Sequence, residues 1–232
     1  MKAATGAECD VYWAPLGALK ASDLVLLDDV EVTRCERYAR QEDRARFAVA
    51  AVLLRAVVAA SCGVSPQGVR VDRTCATCGQ PHGRPRVPDE DIELSVSHSG
   101  DFVAVAASTA GPVGIDLEVI RPLDHAPLLD HVCAPEERDE VTSAPAFYAY
   151  WTRKESVLKA TGEGLMLAMH TLLVTPPTQP PRLLRYRSSL PLSARMIDVS
   201  PARDYAGAVT VLSEEPVVFR SHDGAELLRA CS

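Results

Sequence analysis

The chain has 232 residues, 47% hydrophobic and 24% charged, enough for one sizeable core or two small domains. A formal charge of -7 excludes the broad basic footprint of a general nucleic-acid binder, though not a local phosphate pocket. Arg44, Arg46 and Arg55 punctuate the most apolar region, around Phe47 to Ala60, so no run of membrane-spanning length is expected, and MKAATGAECDVYW lacks the apolar core of a signal peptide.

Val11 to Leu16 reads as a short strand and Ser22 to Asp29 as a short helix or turn. Thr33 is placed to cap a helix running to Arg40, and Phe47 to Ala60 is an apolar helix ending at Gly63. Val69 to Arg73 reads as a strand, followed by a Cys/Gly/Pro-rich loop from Cys75 to Pro88. Leu94 to Ser97 and Phe102 to Ser108 alternate as strands, joined by a turn at Ser99-Gly100-Asp101. Ala110-Gly111-Pro112 reads as a hinge, dividing the chain into 1–111 and 112–232. Val113 to Val119 is then a strand, and Pro135 opens a short helix with acids in its first turn. A longer helix starts at Ser143 and Pro145 and stops at Gly162 or Gly164. From His170 onward the chain reads as strand-rich, with a proline-dense turn at Thr175 to Pro181. Each half thus holds one long helix and several strands. Seven scattered cysteines do not form a disulfide framework and point to a reducing cytoplasm.

Four motifs carry chemistry. In Gly114-Ile115-Asp116-Leu117-Glu118, positions two apart share a strand face, so Asp116 and Glu118 converge while Ile115 and Leu117 pack inward. Paired carboxylates with room for water and phosphate suit Mg²⁺, and an edge strand with two solvated acids is the plain alternative. In Trp151-Thr152-Arg153-Lys154-Glu155-Ser156-Val157-Leu158-Lys159, a spacing of four aligns Trp151, Glu155 and Lys159 on one helix face. Glu155 is a candidate metal ligand or general base and Lys159 a phosphate contact; the plain alternative is a Glu-to-Lys ion pair. Lys154 and Lys159 are half of the four lysines in a chain that otherwise writes arginine. Ser97-His98-Ser99 offers a histidine at a hairpin end, and Gly83-Arg84-Pro85 an arginine fork after a glycine. Cys75, Cys78 and His82 supply only three of a zinc site's four ligands, so a plain turn is expected.

In order and spacing, RCERYARQEDRARF, GRP, SVSHS, GIDLE and WTRKESVLKATGEGL resemble the Sfp-type 4′-phosphopantetheinyl transferases from about Arg34 to Leu165. The resemblance implies an α+β fold of two pseudo-symmetric halves, each a small sheet packed on a long helix, with the active site at their interface. It implies a monomer that moves phosphopantetheine from coenzyme A to a serine of an acyl or peptidyl carrier protein, releasing 3′,5′-ADP. By matching positions, Asp116, Glu118 and Glu155 would bind Mg²⁺, and Glu155 would also deprotonate the serine. Lys159 would assist the departing phosphate, and Arg84, Pro85, Ser97 and His98 would contact coenzyme A, with Arg34 and Arg46 near its phosphates. Glu31 stands where some relatives are basic. Because carriers are commonly acidic and this chain is net negative, docking is expected to use an apolar patch around Val132 and Pro135. Two other readings use the same residues: a different Mg²⁺-dependent phosphoryl-transfer enzyme, and a carrier-binding module without turnover.

Overall fold

The computed structural model describes residues 7–75, 78–81, 83–164, 167–187 and 192–231. Its strands are β1 (Glu8–Pro15), β2 (Glu93–Ser99), β3 (Phe102–Ser108), β4 (Val113–Val119), β5 (Leu173–Val174), β6 (Leu183–Arg185), β7 (Ala194–Val199), β8 (Tyr205–Leu212) and β9 (Val218–Asp223). The α-helices are α1 (Asp29–Arg37), α2 (Gln41–Cys62), α3 (Leu129–Val132), α4 (Ala144–Thr161) and α5 (Gly224–Ala230). One sheet has the order β2-β3-β1-β9 and another β4-β8-β7, while β5 and β6 pair separately.

Alternation on the strands sets the layers. Val103, Val105 and Ala107 of β3 pack with α2 in one core, whereas Ala104 and Ala106 join Val113, Ile115 and Leu117 of β4 in a core between the two sheets. A third core surrounds α4 on the far side of the second sheet. The molecule is therefore a stack of α2, first sheet, second sheet and α4, an α+β fold with one long helix per half. The last segment does not stay with the second sheet. Strand β9 pairs parallel to β1, and α5 packs on α2, so a division at 111/112 leaves the C-terminus inside the first half's sheet.

Several boundaries differ from expectation for local reasons. Asp28, not a residue near Thr33, caps α1: its carboxylate accepts the Glu31 N–H at 2.8 Å, while Glu31 accepts the Asp28 N–H at 3.3 Å. Helix α2 begins at Gln41 rather than Phe47, with Glu42 and Asp43 favouring its first turn. By length and composition α2 is in fact apolar enough to cross a membrane, but it is the core helix of the first half, with Phe47 through Ala59 all buried. Val69 to Arg73 makes only an isolated bridge, Asp72 with Arg86, because the Asp72 carboxylate turns back to accept the Thr74 N–H at 2.7 Å. The segment opening at Pro135 is a 3₁₀ turn, Pro135–Glu140, and the C-terminal helix α5 was not foreseen in a region read as strands.

Val132 is 2% exposed and belongs to the core around α4, so it offers no apolar docking patch. Its carbonyl accepts from Lys154 Nζ at 2.8 Å. The fully buried Lys154 also donates to the carbonyls of Leu172 and Met169 and to the buried carboxylate of Glu137. A compact ammonium thus ties α4 to two loops.

Candidate active site

Gly114 decides how α4 meets β4. A Cβ there would lie 2.0 Å from the Ser156 carbonyl oxygen and 2.5 Å from the Ala160 nitrogen, both backbone atoms of α4. With glycine the helix lies directly on the strand, which sets Glu155 and Lys159 over the face carrying Asp116 and Glu118. Ile115 and Leu117, on the opposite face, are fully buried between the sheets.

Strand β4 is an edge of its sheet, and side chains rather than a neighbouring strand satisfy its free edge. The hydroxyls of Ser95, Ser97 and Ser99 on β2 accept the N–H groups of Ile115, Leu117 and Val119, each at 3.1 Å. Lys159 Nζ donates to the Ile115 carbonyl at 3.0 Å, and the Arg84 guanidinium to the Val113 carbonyl at 3.1 Å. This seam joins the halves and aims the acids as well. Ser97 donates to Asp116 Oδ1 at 3.1 Å, and Ser99 to Glu118 Oε2 at 2.8 Å. Lys159 adds donations to Asp116 Oδ1 at 2.6 Å and to Ser97 Oγ at 3.2 Å. The Glu155–Lys159 ion pair, the plain alternative for this motif, does not form as a contact; the lysine reaches across to β4.

Beside the seam opens a cavity of about 350 Å³. Asp116, Glu118 and Glu155 line one side, Arg34 and Arg73 bring positive charge, and Tyr38, Phe47 and Trp151 supply aromatic wall. The Glu155 carboxyl is pushed above its usual range by burial and then by the Asp116 charge, with Lys159 offsetting part of the rise. Glu118 is raised mainly by burial and also by Asp116, against the hydrogen bond from Ser99. His98 sits between this cavity and a neighbouring one of about 490 Å³. Burial lowers its pKa, and repulsion from Lys159 and Arg46 lowers it further, which keeps the ring neutral at pH 7.

Asp116, Glu118, Glu155, Lys159, Ser97, His98 and Arg34 therefore share one cavity. Arg46 lines the second cavity and bonds the Gly100 carbonyl and Asp43. Arg84 is not among the lining residues: its guanidinium is spent on Glu93 and the carbonyls of Leu94, Val113 and Ala160, and Pro85 beside it is buried. The Ser97 hydroxyl is also committed, since its one proton and both lone pairs already have protein partners. Glu31 points inward to the buried Arg55, 2.7 Å away. The Gly79 N–H donates to the Cys75 carbonyl at 2.8 Å, and His82 lies outside the described residues.

Sequence reasoning missed Arg73. Its Nε is buried with no hydrogen-bond partner among the described residues, and burial with repulsion from Arg34 and Arg55 lowers its pKa. Such an orphaned cationic donor is an anion's natural partner. The period-two serines of S-x-S-x-S were the available signal for the seam.

Among the described residues, no three carboxylate, histidine or cysteine groups lie close enough to enclose a metal. Mg²⁺ is commonly held by one or two carboxylates, with water and substrate phosphates completing its shell. Asp116 Oδ2, which is buried, and the Glu155 carboxylate both have no hydrogen-bond partner among the described residues and fit an open site of that kind.

Residues 112–210 match the model of the 4′-phosphopantetheinyl transferase superfamily, and residues 11–110 that of a 4′-phosphopantetheinyl transferase N-terminal region. The chain is 31% identical over 164 residues to the 4′-phosphopantetheinyl transferase HetI of Nostoc sp., covering 68% of each protein. It is 29% identical over 154 residues to the transferase Sfp of Bacillus subtilis, covering 61% of this chain and 62% of the relative. A Synechocystis sp. relative is 34% identical over 150 residues, 60% of this chain and 58% of its own length. The matches thus span 58%, 68% and 62% of these curated relatives.

Proposed function

The chain belongs to the 4′-phosphopantetheinyl transferase superfamily, and from that premise we propose that it transfers phosphopantetheine from coenzyme A to a serine of an acyl or peptidyl carrier protein. The observation that carries this reading is the single cavity in which three acids face two arginines across the seam between the halves. A diphosphate needs both: cations for its own charge, and oxygen ligands for a divalent ion.

In this reading Arg34 and Arg73 bind the coenzyme's phosphates, with the orphaned Arg73 Nε gaining the acceptor it lacks. His98, neutral and at the rim, donates one hydrogen bond to the nucleotide without adding charge. Asp116 and Glu118, with Glu155, would hold Mg²⁺, which would supply positive charge to the phosphate oxygens of the substrate. Glu155 takes the proton of the carrier serine as its oxygen attacks phosphorus. Lys159 donates to Asp116 and fixes the acid's orientation. Both walls of the cavity come from one chain, consistent with action as a monomer.

The test is labelling of a carrier serine. With a fluorescent coenzyme A and Mg²⁺, apo carriers should become fluorescent, and the same carriers with that serine replaced by alanine should not. Consumption of coenzyme A without carrier would favour a different phosphoryl-transfer activity. Carrier binding without labelling would favour a binding module.

A further inference from the structure

The Ser99 hydroxyl stands at the end of the β2–β4 seam, where two bonds fix it. It accepts the Val119 N–H at 3.1 Å, which locks the oxygen in place, and its one proton then goes to Glu118 Oε2 at 2.8 Å. Glu118 has no other hydrogen bond among the described residues. Asp116 is different, because Lys159 at 2.6 Å holds it in addition to Ser97 at 3.1 Å. Glu118 is a flexible side chain beside a like charge; Lys159 and Arg121 attract it, but among the described residues the Ser99 hydroxyl makes the one directional bond that orients it.

We propose that Ser99 is a positioning residue whose hydroxyl holds the Glu118 carboxylate ready for a divalent cation. This rests on the reading of Asp116, Glu118 and Glu155 as metal ligands. Ser95 provides an internal control. It makes the same seam bond, to the Ile115 N–H at 3.1 Å, and bonds no carboxylate among the described residues.

Mn²⁺ binding by electron paramagnetic resonance, with coenzyme A present and no carrier, separates orientation from stability. Loss of a hydrogen-bonding partner behind a metal ligand typically weakens affinity 10–100-fold, so Ser99→Ala and Ser99→Val should each bind Mn²⁺ at least about tenfold more weakly. Ser99→Thr, matched in shape to the valine variant but retaining the hydroxyl, should bind close to the unaltered protein. Ser95→Ala should lower the melting temperature yet leave Mn²⁺ affinity nearly unchanged. Unchanged affinity in both Ser99→Ala and Ser99→Val, or an equal loss in Ser95→Ala, would overturn the proposal alone. Absence of Mn²⁺ binding by the unaltered protein would remove the metal reading and this proposal with it.

Discussion

Glu155 is held where its own charge is unwelcome. Burial raises its pKa most, Asp116 raises it further, and Lys159 offsets only part. A folded pKa above the unfolded one means that the native state binds the proton more tightly. Stability therefore declines as pH rises from the ordinary carboxylate range through the raised folded value. Glu155→Gln removes this penalty, so without divalent cation it should melt higher than the unaltered protein at pH 8, and the difference should vanish in acid. The same variant should lose about 10²-fold or more in kcat, as expected for a missing general base. Thermal melts at the two pH values and steady-state kinetics check both halves of the claim; a variant that melts lower at pH 8 would contradict the electrostatic account. The acids themselves were legible in the sequence, since strand and helix periods place Asp116 with Glu118 and Glu155 with Lys159. The partners of those residues were not. Whether Arg84 has donors to spare depends on carbonyls that the fold brings from Leu94, Val113 and Ala160, and no local pattern encodes that.

Between elements, the contact of α4 with β4 is as tight as backbones allow. Gly114→Ala would drive a methyl into the Ser156 carbonyl and the Ala160 nitrogen, neither of which can swing aside. Overpacking of a closed core costs about 1–3 kcal/mol, occasionally more, and this contact belongs at the upper end. A urea titration should show the loss, and activity should fall with it as Glu155 and Lys159 shift from the acids. A second test uses Lys154, whose ammonium is buried against Glu137. Removing one member of such a pair typically costs about 3–5 kcal/mol, and Lys154→Met also leaves the carbonyls of Val132, Met169 and Leu172 without their donor, so it should be strongly destabilised. An unchanged denaturant midpoint would show that the buried ammonium does not hold α4 in place. Both long helices and their glycine stops were readable from composition and periodicity, with Gly63 and Gly162 adopting φ of 72° and 76°. The start of α1 was not, because Thr33 and Asp28 are both acceptable caps and only the reciprocal bonds with Glu31 select Asp28.

For the whole molecule, side chains crossing the β2–β4 seam join the halves together with the apolar core between the sheets and the β9–β1 pairing, and Arg84 spans that seam, bonding Glu93 and Leu94 on one side and Val113 and Ala160 on the other. Arg84→Met should therefore lower stability by about 1.5–3 kcal/mol, the range for hydrogen bonds to a charged group, with little change in coenzyme A affinity. Calorimetric coenzyme titration and denaturant melts separate these effects; a large loss of affinity with unaltered stability would return Arg84 to the phosphate site. The two-half architecture was foreseeable from one long helix on either side of Gly111, but the return of β9 to β1 was not, because parallel pairing between chain ends leaves no local signature. Transfer of phosphopantetheine by this cavity can be read from intact-protein mass spectrometry of apo carrier proteins. Incubated with coenzyme A and Mg²⁺, a carrier should gain one phosphopantetheine mass per reactive serine, and the gain should be about 10²-fold or more slower with Glu155→Gln. A folded, coenzyme-binding protein that leaves a broad panel of carriers unmodified would contradict the account.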